Sequence, residues 1–166
     1  MRFKPQAPSP KLRLRGRRPL RRDLAVARFA SVGGPYNQIV SDTTTNGIRV
    51  QVTTKYLADR SSPKEGEYWF AYFIRISNVS QETAQLLSRH WVITNADGEE
   101  EEVRGEGVVG EQPVLPPGTY YDYNSFCHLK TAVGTMHGEY TMVTPSGETF
   151  DARIAPFTLA APHSLN

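Results

Sequence analysis

The sequence predicts an all-β chain: an immunoglobulin-like or fibronectin-III-like antiparallel sandwich of about seven strands, with a small barrel as the alternative. Three observations carry that prediction. Over Ile48–Tyr56 the period is two, Ile48, Val50, Val52, Thr54 and Tyr56 alternating with Arg49, Gln51, Thr53 and Lys55, as in a strand with one buried face. Tyr68–Ile76 is dense in aromatic and β-branched residues and apolar on both sides at first, the mark of a central strand. Turn formers recur at the spacing of short strands, and no apolar stripe has the 3.6-residue period of a helix.

The elements follow in order. Asp59–Glu67, with Ser61-Ser62-Pro63 and Gly66, reads as a loop between the first two strands. Asn78-Val79-Ser80 turns the chain into a strand over Ala84–Asn95, and Ala96-Asp97-Gly98 closes a tight hairpin. Glu99–Arg104 returns as a polar edge strand, its carboxylates discouraging edge-to-edge pairing. Gly105–Gly118, containing Pro113, Pro116 and Pro117, is expected to be a long loop. Strands follow over Thr119–Phe126, with Tyr121 and Tyr123 on one face, over Gly138–Val143, and over Glu148–Ile154 after a Pro145-Ser146-Gly147 turn. Phe157 and Leu159, beyond a proline, are expected to pack the chain end onto the sandwich.

Charge divides the 166 residues. Residues 1–30 hold ten Lys and Arg against Asp23 alone, a net +9, whereas the remainder has nine bases against sixteen acids, a net −7. Residues 1–40 are therefore read as a disordered basic extension, broken by Pro5, Pro8, Pro10, Pro19 and Gly33-Gly34-Pro35, and 41–166 as the sandwich domain. Three readings of the extension stand open: a solvated tail, an arm for nucleic acid or another anionic surface, and an organelle transit peptide. With 39% hydrophobic residues the chain can build a core, and no run approaches the roughly 18 apolar residues of a membrane-spanning helix. The single Cys127 cannot form an internal disulfide, which suits a reducing compartment: the cytoplasm, or an organelle matrix if the tail is a transit peptide.

Gly105-Glu106-Gly107-Val108-Val109-Gly110 matches G-x-G-x-x-G, yet the following Glu111-Gln112-Pro113-Val114-Leu115-Pro116-Pro117 cannot open the helix that holds a pyrophosphate. Two readings survive. The glycines serve a bulge or wide loop, or their amides form an anion nest beside Arg104, with Glu106 and Glu111 repelling a phosphate unless Mg²⁺ bridges them. On the strand Ser88-Arg89-His90-Trp91, alternation puts Arg89 and Trp91 on one face, a candidate partner-binding surface, and Ser88 and His90 on the other, too far apart for a catalytic dyad. Cys127-His128 with His137 lacks zinc-ligand spacing, and the Glu99–Glu102 carboxylates split between two faces. No catalytic constellation, metal site or cofactor is expected.

The strings Val52-Thr-Thr-Lys-Tyr-Leu57, Tyr68-Trp-Phe-Ala-Tyr72, Gln85-Leu-Leu-Ser-Arg-His-Trp91 and Glu102-Val-Arg-Gly-Glu-Gly-Val-Val-Gly-Glu-Gln-Pro113 lie in order along the chain. With Leu115-Pro-Pro-Gly118, Gly134-Thr-Met-His-Gly138, Phe150 and Pro156-Phe157, they make residues 48–166 closely resemble the ApaG family. The resemblance implies a fibronectin-type sandwich of seven or more strands without established catalysis. It implies links to diadenosine-tetraphosphate hydrolase genetics and to magnesium and cobalt homeostasis in bacteria, and protein-interaction modules attached to F-box and polymerase-interacting proteins in eukaryotes. The family's glycine motif, with its proposed pyrophosphate role, falls on Gly105, Gly107 and Gly110. This chain departs from the usual Tyr-Thr-Ser-Gly at Tyr123-Asn124-Ser125-Phe126, and from the usual Thr-Pro at Thr131-Ala132. The expected role is a non-catalytic binding module for a protein partner. The alternative is a binder of a small phosphate or pyrophosphate, or of a Mg²⁺ or Co²⁺ complex; self-association is left open.

Overall fold

The structure is a computed structural model that describes residues 38–165, so residues 1–37 of the basic extension read over 1–40 lie outside the described residues, while Ile39 and Val40 belong to the first strand of the sandwich. Among the described residues nine strands form two antiparallel sheets packed face to face: β1 Ile39–Thr45, β2 Ile48–Tyr56, β3 Tyr68–Asn78, β4 Ala84–Asn95, β5 Glu100–Glu106, β6 Val114–Leu115, β7 Tyr120–Leu129, β8 Val133–Val143 and β9 Thr149–Ala160. One sheet has the order β1-β2-β3-β7; the other runs β5-β4-β8-β9, with β6 pairing the start of β4. The described residues form an all-β sandwich.

The seven expected strands are present, several of them longer than read. β1 opens at Ile39 and escapes the reading because Ile39–Thr45 is mostly Ser, Asp and Thr, with Ser41 its one buried residue. β6 is two residues inside the expected Gly105–Gly118 loop, where Leu115 is buried against Ala84 of β4. β9 passes straight through Pro156. The β8 pairing shifts register between Met136 and Gly138, so the residue lacking an N–H sits at a bulge, where proline is tolerated in a sheet.

The core is the layer between the sheets. β2 and β3 contribute Ile48, Val50, Val52, Phe70, Tyr72, Ile74 and Ile76; β4, β8 and β9 contribute Leu86, Trp91, Met136, Tyr140, Met142, Ile154, Phe157 and Leu159. Trp91 is its hub, with ring centroids 5.4 Å from Tyr72, 6.4 Å from Tyr140 and 6.0 Å from Phe157. The indole fits because its partner across the β4–β8 pair is Gly138. A Cβ built on Gly138 would lie 2.0 Å from the His90 carbonyl oxygen, so the two backbones approach more closely than any side-chain-bearing residue permits.

Gly138→Ala is therefore expected to lower stability by about 3 kcal/mol, since the clash is with backbone that cannot rotate away. Gly147→Ala, at φ +85° but facing open space, is expected to cost only about 1 kcal/mol. Urea unfolding midpoints of the two variants check this ordering.

Candidate functional site

The glycine motif is spent on the fold. Leu87 is skipped in the pairing of β4 with β8, where the register shifts between Leu86 and Ser88. Its carbonyl accepts from the Gly107 amide at 2.8 Å and from the Gln112 side-chain amide at 2.8 Å. Gly107 is buried at φ +59°, and a Cβ there would stand 2.2 Å from the Glu111 carbonyl oxygen. Val108 and Glu111 close a two-residue turn by exchanging backbone bonds of 2.8 and 3.0 Å, with Val109 and Gly110 at its tip, both at positive φ as in a type I′ turn. The amide of Gly107 is thus bonded to β4 and those of Val108 and Glu111 within the turn, which leaves the amides of Val109 and Gly110 at the tip outside this network. No helix follows.

The bulge at Leu87 also turns Arg89 and Trp91 inward. Trp91 is 2% exposed, so the Arg89/Trp91 pair is not the contact surface expected from strand alternation: the shared face is real, but it is the core face. Arg89 Nη1 donates to the carbonyls of Glu106 at 3.0 Å and Gly107 at 2.8 Å, and the guanidinium covers the Cα of Gly105. The arginine at the glycine turn is therefore Arg89. Arg104 lies on the outer face of β5, across from His90, paired with Glu102 at 3.0 Å. Glu106, Gly110 and Glu111 are exposed at the rim of the turn.

His90 also faces outward and clamps three strands. Its Nδ1 meets Glu139 Oε1 of β8 at 2.6 Å and its Nε2 meets Glu102 Oε2 of β5 at 2.9 Å. The Glu139 hydrogen bond, then that of Glu102, raises the His90 pKa above its usual 6.5 against the opposing effect of burial, while His90 and Arg104 together lower that of Glu102. Cys127 and His128 point to opposite faces. Cys127 is buried, and its thiol is pushed up to about 12 by desolvation. His128 stacks on Trp69 at 4.7 Å with its Nε2 against the Glu67 carboxylate. Among the described residues, no three His, Cys, Asp or Glu side chains converge as metal ligands.

The feature that sequence reasoning passed over is the outer face of the β1-β2-β3-β7 sheet. β3 sends Phe70, Tyr72, Ile74 and Ile76 into the core and Trp69, Ala71 and Phe73 outward. Register places His128 beside Trp69, Phe126 beside Ala71, and Asn124 beside Phe73; on the other side Lys55 flanks Ala71, and Thr53 then Ile39 flank Phe73. A stripe of Ile39, Phe73, Phe126 and Trp69 thus crosses the sheet. Phe126 is 49% and Phe73 37% exposed, while Ala71 between them is 3% exposed, shielded by its larger neighbours. The Arg60 guanidinium carbon lies 5.7 Å from the Trp69 ring centroid and 5.2 Å from that of Phe126. The signal for this face lay in β3 itself. A strand apolar on both sides leaves one side facing away from the core in a two-layer sandwich, and among the described residues no α-helix packs over it.

Fold and site together define a small two-sheet sandwich whose candidate site is an open sheet face. A family model described as the ApaG domain matches residues 58–144, and the chain belongs to the ApaG family. It is 50% identical over 127 residues to Protein ApaG of Anaeromyxobacter dehalogenans, covering 76% of this chain and all of that relative. It is 54% identical over 119 residues to Protein ApaG of Thiobacillus denitrificans, covering 72% of this chain and 94% of the relative. An X-ray structure of a structural-genomics target is 50% identical, with a TM-score of 0.69 over 73% of this chain and 92% of that one. A crystal structure of a Bordetella pertussis protein described as ApaA is 42% identical, with a TM-score of 0.69 over 76% of this chain and all of that one. The relatives' shared name states no activity.

Two expectations follow. Val109 holds φ +50° at a 66% exposed position, a conformation costly for a β-branched residue and tolerable for asparagine. Val109→Asn should raise stability by about 0.5–1 kcal/mol, read from the urea midpoint. Because the folded pKa of His90 is raised, the clamp's contribution is fully present below pH 6.5 and is lost as pH climbs through the folded value. The stability gap between the native chain and His90→Gln should therefore be widest in mild acid and close in alkali, measured by denaturation across pH 5.5 to about 9.

Proposed function

We propose that this ApaG-family chain is a non-catalytic binding module that recognises another protein through the outer face of its four-stranded sheet. The observation that carries the reading is the Trp69–Phe73–Phe126 stripe with Arg60 laid over two of its rings. Exposed contiguous apolar surface rimmed by polar groups marks an interaction site, and interfaces are enriched in aromatic residues and arginine over the rest of a protein's surface. Trp69 and Phe126 also arrive with little rotamer freedom left to lose, Trp69 stacked on His128 and Phe126 under Arg60, which lowers the entropic cost of binding. The opposite outer face is laced with His90, Glu102, Arg104 and Glu139, and among the described residues its strands β4, β5, β8 and β9 expose no large apolar side chain. A cytoplasmic setting fits the lone thiol of Cys127, which is buried and held protonated.

A photo-activatable phenylalanine analogue at Phe73 or at Phe126 tests this in living cells. One reproducible adduct protein from both positions, absent when the probe replaces exposed Thr135 on the other sheet, is the expected outcome. Equal labelling from all three positions, or none from any, would sink the reading.

A further inference from the structure

We propose that β7 accepts an extended acidic and apolar segment of the protein partner as a fifth strand of the four-stranded sheet. This rests on the reading of that sheet as the protein-binding face and adds how the partner engages it.

The four sheet edges are not equivalent. β1 and β9 run alongside each other and close one flank: Ser41 Oγ donates to the Ala155 carbonyl at 2.8 Å, and the Arg153 amide donates to Thr45 Oγ1 at 3.1 Å. On the opposite flank β5 presents Glu100, Glu101, Glu102, Arg104 and Glu106, a run of charges of the kind that blocks edge pairing. Facing the same flank, β7 is Tyr-Tyr-Asp-Tyr-Asn-Ser-Phe-Cys-His-Leu over ten residues. Its one carboxylate, Asp122, is already occupied by Arg75 through two bonds of 2.8 Å. It has no proline and pairs with β3 in unbroken register from Tyr120 to Leu129, without a bulge. Among the described residues the backbone of β7 bonds only to β3, so the groups along its other side form an open ladder. Such a ladder gives affinity to an added strand, while its side-chain neighbours give specificity.

Those neighbours state the chemistry. A strand beside β7 sets its outward side chains next to Phe126 and Asn124 and its inward ones along Tyr121, Tyr123 and Ser125. Tyr121 and Tyr123 pack partly against the core and are incompletely covered, so the inward positions favour apolar side chains. On the outward side, Arg60 lies over Phe126, and Lys55 shares its cross-strand row. Among the described residues neither cation has a carboxylate within ion-pair distance. An outward carboxylate beside Phe126 would meet Arg60, with Lys55 adding a more distant positive charge on the same row. Alternating apolar and acidic residues are the complementary pattern.

The test uses the ¹⁵N-labelled full chain and three synthetic peptides: acetyl-Thr-Val-Glu-Val-Glu-Val-Thr-amide, the same peptide with Lys for Glu, and the Glu peptide with its central Val replaced by Pro. The Glu peptide is expected to shift β7 resonances and slow exchange of alternate β7 amides. The Lys peptide should bind about tenfold more weakly and the Pro peptide negligibly, and Arg60→Glu should reverse the charge preference. The proposal is overturned if the Pro peptide binds as well as the Glu peptide, or if about 1 mM Glu peptide leaves β7 unperturbed. Concentration-dependent protection of β7 amides without any peptide also overturns it, assigning the edge to a second copy. Should the peptides fail while cross-links from Phe73 and Phe126 persist, edge pairing falls and the face reading stands; failure of both removes both.

Discussion

One skipped residue in β4 governs most of the molecule. Side chains of a strand alternate strictly, so the unpaired Leu87 exchanges the two faces of everything beyond it. Before it Ala84 and Leu86 point inward; after it Arg89 and Trp91 do, and His90 moves to the outer surface to join Glu102 and Glu139. Without that shift the indole would face solvent and the imidazole the core. The Leu87 carbonyl is bonded by the glycine loop, so Gly107 and Gln112 are tied to the same feature, and Arg89 covers the loop from within. A motif that resembles a phosphate cradle is in this chain a device for holding a bulge.

From this constraint follows the difference between the two outer surfaces. The β5-β4-β8-β9 sheet carries charge outward, with His90, Glu102, Arg104 and Glu139 joined in one set of ion pairs. The β1-β2-β3-β7 sheet carries the aromatic stripe outward and leaves Arg60 resting on rings instead of a carboxylate. Nothing in the core requires Trp69, Phe73 or Phe126, because the inward residues of β3 already fill the inter-sheet layer. Phe73 and Phe126 remain exposed beside the half-buried Trp69, and that uncovered apolar surface is the physical reason to regard the stripe as a contact surface. Phe126 sits in β7, so the Tyr123–Phe126 segment lies in an edge strand and not in a loop.

The sequence by itself determined the elements whose signal is local. Alternation over Ile48–Tyr56, the Asn95–Gly98 hairpin and the charged edge at β5 could be read directly, since period and turn chemistry depend on neighbours along the chain. It also showed that the glycine string could not open a nucleotide-binding helix, because Pro113 and Pro116 follow too soon. Polar β1 and two-residue β6 were beyond reach: β1 is held by cross-strand bonds to β2 and by its packing along β9, not by an apolar pattern of its own. Only the tertiary structure decided which face each side chain takes. Alternation reveals that Arg89 and Trp91 lie together and that Trp69 and Phe73 lie together, but not which pair is inside. That assignment depends on a register shift and on which sheet packs against which, and both are set by residues far apart in the chain.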